Sequence, residues 1–341
     1  MHKPTTFGYL PDGTPIYQYE LHNAKGSVLG FLNYGGTVNY LLPAKGAKSI
    51  VLGFEKFESY LVHTNYMGAI IGRFANRIKE GRFSLNGRDY SLVQNNDGNN
   101  LHGGLKGFDK HMWNVEQLSD TKAELSRLSP DGEEGYPGNL SVKVTYELTE
   151  ANEWIINYQA ESDKDTVINL TQHAYFNLDG GGLIHEHQVR VLADQYIPTD
   201  NGIPLSDAPH SVERTPFDLL LWKKIGEGLA SDHPQVVQVL GFDHCFVRND
   251  GDRHELRLIA EACGANGLTL QVRTTEPGVQ FFSANYPIIG VGESFPVFSA
   301  FCLETQHFPD TPNRPDFPSA VLKAGETFRS QTVYAFKSPD S

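Results

Sequence analysis

Residues 141–160 read SVKVTYELTEANEWIINYQA, and this stretch decides the class of fold. Apolar side chains occupy every second position on both sides of a short polar turn: Val142, Val144, Tyr146 and Leu148 before it, and Trp154, Ile156, Tyr158 and Ala160 after it. Successive side chains of a strand point to opposite faces of a sheet. A period of two therefore predicts two strands, each with one buried face.

A second pattern predicts a tight hairpin within residues 83–92. Phe83 and Leu85 alternate with polar residues up to Asn86-Gly87, and Tyr90 and Leu92 lie beyond that pair. Asn-Gly between alternating runs is a strong hairpin signal because both residues tolerate a positive φ. Further short runs that are typical of strands lie at 189–191, 268–272 and 333–336.

Helical periodicity is scarce along the chain. Residues 219–229 form the best helix candidate, and this stretch is short and poorly capped. Many short strands separated by turns indicate a sandwich or a barrel, not a doubly wound sheet. No repeat of fixed period, low-complexity stretch or long linker marks a boundary. We therefore expect one all-β antiparallel domain over residues 1–341, with few short helices.

The chain is acidic and contains few cysteines. Its 341 residues include 28 Lys and Arg against 41 Asp and Glu, for a net charge of −13. An acidic surface repels phosphate backbones and anionic lipid, so nucleic acid and membranes are poor partners. Cys245, Cys263 and Cys302 lie far apart, and the N-terminal residues contain no apolar signal region. We therefore expect a cytoplasmic protein without a disulfide framework.

Several nucleotide-binding and catalytic motifs are absent from the sequence. No G-x-G-x-x-G stretch joins a strand to a helix, which disfavours a nicotinamide cofactor. No G-x-x-x-x-G-K-[ST] stretch is present, which excludes a P-loop sugar kinase. The G-x-S-x-G motif of many serine hydrolases is also missing. No cofactor is expected.

Two polar segments interrupt apolar sequence in the first third of the chain. Residues 70–78, IIGRFANRI, contain Arg73, Asn76 and Arg77. A guanidinium is a rigid fork of donors that suits vicinal hydroxyls or a carboxylate, and a structural ion pair is the alternative. In the second segment, His102 precedes Gly103-Gly104, where the backbone can bend close to a ligand. An ordinary turn histidine is the alternative there.

Two later segments carry groups suited to proton transfer. Residues 169–178, NLTQHAYFNL, contain His173, which can donate or accept a proton near neutral pH. A core histidine bonded to backbone is the alternative. Glu304 directly follows Phe-Cys-Leu, so we expect it to emerge from a buried strand into a site. Because carboxylates are rarely buried without a partner, a structural ion pair is the alternative.

Three weaker candidates lie elsewhere. His185-Glu186-His187 lacks a helical H-E-x-x-H frame, so no metal site is expected there. Asp243, in the polar insertion at 241–244, is suited to accept hydrogen bonds from hydroxyl groups. Phe281 and Phe282 could stack on a sugar face, although packing in the core is the commoner fate of adjacent aromatic residues.

Taken together, these segments resemble the aldose 1-epimerase (galactose mutarotase) family. The matching stretches follow the family order between about residues 70 and 310: GR at 72–73, ANRI at 75–78, LHGG at 101–104, SPDGEEGYPG at 129–138, HAYFNL at 173–178, GFDH at 241–244, PGVQF at 277–281 and LETQ at 303–306. A match to one of these stretches alone is weak evidence for the family, whereas matches to all of them in order are specific to it.

The resemblance implies a large antiparallel β-sandwich with an open sugar cleft, and an isomerase that interconverts the α and β anomers of free aldohexoses such as galactose or glucose. By position, it implies that Glu304 is the base, that His173 is the acid and that His102 helps to hold or polarise the ring oxygen. It assigns substrate binding to a further set of residues: Asn76, Arg77, Asp243 and Gln280. One departure is Gln172, where the family often has Asn, and this puts the fine orientation of His173 in question.

The chemistry of ring opening agrees with this set of residues. The anomeric hydroxyl must lose a proton while the ring oxygen gains one, and a fixed base and acid supply about 10²–10⁴-fold each without metal or nucleotide. An ordinary glutamate, with a pKa near ~4.3, is ionised at pH 7, whereas a histidine near ~6.5 is mostly neutral. We therefore expect Asp243 or Glu304 to favour the charged form of His173.

Three other functions compete with this interpretation. A non-catalytic carbohydrate-binding sandwich would need the aromatic residues and hydroxyl binders but no paired Glu304 and His173. A mutarotase of hexose phosphates would need an extra basic cluster, and none accompanies Arg73 and Arg77. A disaccharide substrate depends on the walls of the cleft. The choice between galactose and glucose and the oligomeric state are both left open.

Overall fold

The structure is a computed structural model that describes residues 2–249 and 255–338. Its largest element is a nine-stranded sheet in which all neighbouring strands are antiparallel. In spatial order its strands are Asn114–Gln117, Lys122–Ser129, Leu140–Leu148, Glu153–Ser162, Thr327–Lys337, Thr269–Thr274, Arg257–Cys263, Gln188–Val191 and Lys223–Lys224.

The stretch at 141–160 forms two adjacent strands of this sheet, as predicted. Val144 pairs with Tyr158 and Tyr146 pairs with Ile156, so the apolar side chains of both strands share one face. That face is buried, whereas Lys143 on the opposite face is exposed. Burial of one face is what a period of two requires, and it sets the register of the pair.

A five-stranded antiparallel sheet packs against the buried face of the large sheet. Its strands, in spatial order, are His210–Ser211, Gln195–Ile197, Asp243–Val247, Gly278–Phe282 and Cys302–Gln306. Val279, Phe281 and Leu303 of this sheet join Ile156 and Tyr334 of the large sheet in one hydrophobic core. The Tyr334 hydroxyl also donates a hydrogen bond of 2.8 Å to the carbonyl oxygen of Leu303. The predicted antiparallel β-sandwich is confirmed.

The remaining strands form smaller sheets around these two layers. A four-stranded antiparallel sheet comprises Thr5–Tyr9, Pro15–His22, Val28–Leu32 and Val38–Leu42. Paired short strands complete the set: Ile70–Ile71 with Thr171–Gln172, Arg77–Ile78 with Asn100–Leu101, Arg82–Leu85 with Arg88–Ser91, Thr166–Val167 with Val321–Leu322, Thr199–Asp200 with Ile203–Pro204, and Ile288–Ile289 with Ser294–Phe295.

The predicted hairpin is confirmed. Leu85 pairs with Arg88, which leaves Asn86 and Gly87 as a two-residue loop. Both loop residues have a positive φ, 53° for Asn86 and 74° for Gly87. This is the conformation that a right-twisted tight hairpin needs.

The helix prediction at 219–229 is wrong for most of its length. Lys223–Lys224 is an edge strand, and only Ile225–Leu229 is helical. The other α-helices in the described residues are Phe57–Val62 and Pro234–Val239. Such short helices carry little periodicity, and their packing decides their formation. Among the described residues, no helix has the length and apolar character needed to span a bilayer. The single-domain interpretation of residues 1–341 stays a prediction.

Candidate active site

A cleft beside the five-stranded sheet gathers most of the polar segments that the sequence singled out. Its cavity volume is about 150 Å³. Distant parts of the chain line it: Thr64, Asn65, Tyr66, Asn76, Arg77, Asn96, Leu101, His102, His173, Tyr175, Asp243, Phe282, Tyr286 and Glu304. Of the seven predicted site residues, all except Gln280 are in this lining.

A larger concavity, of about 490 Å³, lies against the nine-stranded sheet. Its described lining is polar and contains no histidine. Glu124, the carboxylate in that lining, lies 3.0 Å from Nζ of Lys143 and is therefore already paired. The smaller cleft, which brings carboxylates and histidines together, is the better candidate for chemistry.

Glu304 is held on the strand Cys302–Gln306 at the floor of the cleft. Residues alternate between the two faces of this strand, and Thr305 points towards the large sheet, where its Oγ1 lies 2.5 Å from Oγ1 of Thr332. Glu304 consequently points into the cleft, and its Oε1 lies 3.6 Å from Nε2 of His173. Its Oε2 is buried and has no hydrogen-bond partner among the described residues. A buried oxygen without a partner calls for an explanation, and a ligand in the cleft would supply one.

His173 directly follows the short strand Thr171–Gln172. Its backbone N–H donates to the carbonyl oxygen of Ala69 at 3.0 Å, which ties it to the neighbouring segment. The imidazole stacks on Tyr175, with 5.1 Å between ring centroids, and its Nδ1 lies 3.6 Å from Sγ of Cys302. The ring is thus held on one face and at one nitrogen, while Nε2 is directed towards Glu304.

The amide of Gln172 donates its hydrogen bond to the core and not to the imidazole of His173. Nε2 of Gln172 donates a hydrogen bond of 3.0 Å to the hydroxyl of Tyr146, which lies on the large sheet. Adjacent residues of an extended segment point to opposite sides, so Gln172 faces the core where His173 faces the cleft. The departure from the family pattern at this position therefore acts through core packing.

His102 and Asn76 are linked through the backbone. The N–H of Asn76 donates to Nδ1 of His102 at 3.1 Å, so the proton of a neutral His102 ring lies on Nε2. Asn76 Oδ1 accepts from the N–H of Arg77 at 2.9 Å, which leaves the amide nitrogen of Asn76 as a donor for the cleft. Both Asn76 and His102 have a positive φ, 66° and 50°, which is a rare conformation that is enriched at functional sites.

Gly103 is required by a close approach of two backbone segments. Its φ is 88°, and a Cβ there would lie 2.0 Å from the carbonyl oxygen of Gly72. The close approach brings the segment with His102 against the segment that leads to Asn76. A close approach of this turn to a ligand stays a prediction.

Arg77, Asp243 and Gln280 form a connected polar group. Arg77 Nη1 lies 3.9 Å from Oδ2 of Asp243, and its Nε donates to Oδ1 of Asn96 at 2.9 Å. Gln280 Nε2 donates to Oδ1 of Asp243 at 2.7 Å. Gln280 is absent from the described lining of the cleft, although it pairs with Glu304 on the neighbouring strand. Its role in substrate binding stays a prediction.

Burial controls the protonation of the central pair. It raises the pKa of Glu304 well above its usual range; the neighbouring charge of Asp243 raises that pKa further, and Arg77 lowers it. Burial lowers the pKa of His173 to about 3. The expectation that a nearby carboxylate favours the charged form of His173 is therefore wrong, because burial is the largest influence on the pKa of both groups and disfavours both charged forms.

Comparison with known proteins decides the family. The sequence profile described as aldose 1-epimerase matches residues 17–335. This chain belongs to the aldose 1-epimerase family. It is 41% identical to galactose mutarotase from Rattus norvegicus over 97% of each chain. It is 38% identical to aldose 1-epimerase from Haemophilus influenzae, over 99% of this chain and 100% of that protein.

Solved structures of the aldose 1-epimerase family share this fold. Galactose 1-epimerase from Lactobacillus acidophilus superposes with a TM-score of 0.87 at 26% identity, and 98% of each chain is covered. An aldose epimerase homologue from C. elegans superposes with a TM-score of 0.85 at 26% identity, covering 94% of this chain and 98% of that chain. The resemblance seen in the sequence is confirmed.

Three other residues that the sequence suggested as binding candidates lie outside the lining of the cleft in this aldose 1-epimerase family member. Arg73 is buried and donates to the carbonyl oxygens of Ser129, at 3.0 Å, and of Pro137, at 2.6 Å, so it anchors a turn. The Nε2 of His187 accepts from the N–H of Leu178 at 3.0 Å. Phe281 is fully buried in the core, whereas its neighbour Phe282 lines the cleft.

Several residues that line the cleft were not predicted from the sequence. Tyr66 has an unusual φ of 56°, and its ring meets His102 edge-on, with 4.6 Å between centroids. Asn96 accepts the hydrogen bond from Arg77, and Tyr286 is half exposed at the rim. These residues lie in loops without a motif, so no pattern in the sequence pointed to them. Tyr175 lies within the polar segment 169–178, and its stacking on His173 places it in the cleft.

The same cluster offers ligand atoms for a cation. Nitrogen atoms of His102 and His173 and an oxygen of Glu304 all lie within 4.8 Å of one another. Two imidazoles and a carboxylate are donors that a divalent transition metal can use. The same three groups also form an acid–base cluster.

Proposed function

We propose that this protein is an aldose 1-epimerase, an isomerase that interconverts the α and β anomers of a free aldohexose in the cleft. The observation that carries the proposal is the 3.6 Å approach of Nε2 of His173 to Oε1 of Glu304, with both side chains nearly inaccessible to solvent. Membership of the family and the polar, partly aromatic lining support it. Both anomers of galactose and of glucose are candidate substrates.

In the proposed reaction Glu304 is the base and His173 is the acid. Oε1 of Glu304 takes the proton of the anomeric hydroxyl while Nε2 of His173 gives a proton to the ring oxygen. The bond between C1 and the ring oxygen then breaks to give the open aldehyde. After rotation about the C1–C2 bond the hydroxyl returns its proton to His173, attacks C1 from the other side, and Glu304 reprotonates the new anomeric oxygen.

The reactive protonation state requires one internal proton transfer. Burial favours the neutral form of both groups, so a proton on Glu304 must move to Nε2 of His173, which yields an ionised base and a charged acid without changing the net charge of the pair. Arg77 favours this state because its charge lowers the pKa of Glu304. A carboxylate that is costly to ionise is also a strong base once ionised, which suits removal of a hydroxyl proton.

The other polar residues are assigned to substrate binding. His102 donates from Nε2 to an oxygen near the anomeric centre, because its Nδ1 already accepts from the N–H of Asn76. The amide nitrogen of Asn76 and the free donors of Arg77 bind sugar hydroxyls. Asp243 accepts from a hydroxyl pair, and Gln280 holds its carboxylate in place. Aromatic faces such as Phe282 cover an apolar face of the ring.

The composition of the lining favours an uncharged sugar over a sugar phosphate. Among the described lining residues Arg77 is the one Lys or Arg, and its charge is already paired with that of Asp243 at 3.9 Å. A phosphate dianion needs more positive charge than this lining provides. A cytoplasmic setting, in which cysteines stay reduced, is also proposed, and it is supported by three cysteines that are all unpaired: Cys245, Cys263 and Cys302.

Polarimetry tests the proposed activity. Freshly dissolved α-D-galactose and α-D-glucose are followed with and without the purified protein, in buffer with and without EDTA. We expect the protein to speed the approach to the same final rotation, and EDTA to leave that rate unchanged. Loss of activity in EDTA that returns with added metal would assign the His102, His173 and Glu304 cluster to a cation. Binding of sugar without acceleration would support a carbohydrate-binding protein instead.

A further inference from the structure

Cys302 and Glu304 lie on either side of the His173 imidazole. They are two residues apart on one strand, so their side chains point to the same face. Sγ of Cys302 lies 3.6 Å from Nδ1, and Oε1 of Glu304 lies 3.6 Å from Nε2. The two ring nitrogens of His173 therefore face two chemically different partners, a thiol and a carboxyl group.

The thiol of Cys302 is neutral. It is fully buried, and burial raises its pKa well above the usual range, with Glu304 and Asp243 raising it further through their charges. A neutral thiol is a weak acceptor through sulfur and a weak donor through its S–H. The protonation of Nε2 therefore decides whether the hydrogen between these two atoms lies on Sγ or on Nδ1.

The proposed reaction keeps one proton on Nδ1 throughout. After Nε2 has given its proton to the ring oxygen, Nε2 is bare and the hydrogen of the neutral ring lies on Nδ1. Before that step, the imidazolium carries hydrogen on both nitrogens. In both states Nδ1–H needs an acceptor, and among the described residues Sγ of Cys302 is the polar atom placed to accept it.

We propose that Cys302 is a positioning residue: its sulfur accepts the Nδ1–H of His173 and so holds the imidazole in the tautomer whose Nε2 exchanges protons with the sugar. This inference rests on the roles of His173 and Glu304 in the proposed function. It assigns no contact with substrate to Cys302, which acts through the imidazole.

A weak neutral acceptor suits a general acid better than a charged one. A carboxylate at Nδ1 would stabilise the imidazolium strongly and make it a poorer proton donor. A neutral sulfur orients the ring but stabilises the imidazolium much less than a carboxylate would. Nε2 therefore gives up its proton readily. The other titratable groups around the ring are Tyr66, Tyr175, His102 and His63, and these meet it through ring faces and edges or act on it through charge.

Nitrogen-15 NMR of the imidazole tests the proposal directly. The nitrogen shifts of a histidine distinguish the Nδ1–H from the Nε2–H tautomer, and a His173→Asn variant assigns the signal. We expect Nδ1–H in the parent protein and in Cys302→Ser, whose hydroxyl can accept the same bond. In Cys302→Ala the acceptor is missing, so we expect a shift towards Nε2–H and a fall in kcat of about tenfold or more with little change in KM.

Cys263→Ala is the matched control, because Cys263 lies on the large sheet and should leave both tautomer and turnover unchanged. Thermal melts establish that each variant is folded, and Cys302→Val, which fills the space without an acceptor, replaces the alanine variant if that one is unfolded. An Nε2–H signal in the parent, or a parent-like tautomer and kcat in Cys302→Ala, would overturn the proposal. The NMR result does not depend on turnover, so a parent protein inactive on sugars would refute the proposed function alone.

Discussion

Nε2 of His173 and Oε1 of Glu304 lie 3.6 Å apart, and their side chains are only 5% and 3% exposed. The two residues are more than a hundred positions apart in the sequence, and they meet because the strand Cys302–Gln306 runs beside the segment that follows Thr171–Gln172. Burial raises the pKa of Glu304 and lowers that of His173, so it favours the neutral form of both the base and the acid. In the proposed reaction, one proton transfer between them gives the charged pair that exchanges roles during ring opening and closure.

Glu304→Gln should abolish most turnover while leaving sugar binding intact. The amide has the same shape and cannot take up the hydroxyl proton, so we expect kcat to fall by at least about a hundredfold. Polarimetry gives kcat, and calorimetry with galactose gives the affinity. Glu124→Gln, on the large sheet, is the control. Turnover of the Glu304 variant near the parent level would remove Glu304 from the role of base.

Arg77→Gln should weaken substrate binding and displace the pH profile. Loss of the guanidinium removes donors for sugar hydroxyls, and we expect KM to rise by about tenfold or more. Arg77 lowers the pKa of Glu304, so its removal should move the acidic limb of the kcat/KM profile to higher pH. The exposed residue Arg82, changed to Gln, is the control. An acidic limb that stays in place would mean that Arg77 does not act on the base.

Buried histidines should make the fold sensitive to acid. His244 is fully buried, and burial lowers its pKa to about 3, against about 6.5 in an unfolded chain. The unfolded state binds the proton first as pH falls, so the stabilisation is complete above about 6.5 and is lost towards 3. We expect the free energy of unfolding by urea to fall between pH 7.5 and 5, and to fall less in His244→Gln. An unchanged slope in His244→Gln would show that this residue does not cause the sensitivity to acid.

Gln172→Asn should affect stability much more than catalysis. The shorter amide cannot reach the Tyr146 hydroxyl, which Gln172 contacts at 3.0 Å, so we expect the free energy of unfolding to fall by about 1–2 kcal/mol. Because Gln172 donates to Tyr146 and not to the His173 ring, kcat should stay close to the parent value. A large loss of kcat with unchanged stability would show that this residue orients the acid after all.

Local patterns in the sequence predicted much of the large sheet and one tight turn. The alternation at 141–160 matches the register of Val144 with Tyr158, and Asn86-Gly87 forms the predicted hairpin loop. These features depend on neighbours within a few positions, which is why they are readable from a single chain. Short helices such as Pro234–Val239 were missed because six residues hold too little periodicity.

The candidate site was predicted residue by residue through the resemblance to the family, and six of the seven residues line one cleft. Their assigned roles stay predictions. Gln280 shows the limit of assigning residues by resemblance. It lies on a strand beside the site, but its amide donates a hydrogen bond of 2.7 Å to Asp243. Loop residues such as Tyr66 and Asn96 carried no motif, and only the folded backbone places them in the lining.

The sequence by itself determined an antiparallel β architecture and the set of groups able to move protons. Both follow from residue type and spacing, which are local properties. The tertiary structure alone decided how strong those groups are as acids and bases. Burial raises the pKa of Glu304 and lowers that of His173, because water that would solvate either charge is excluded when two sheets and their loops close around the pair. That exclusion depends on every layer of the fold, so no local pattern encodes it.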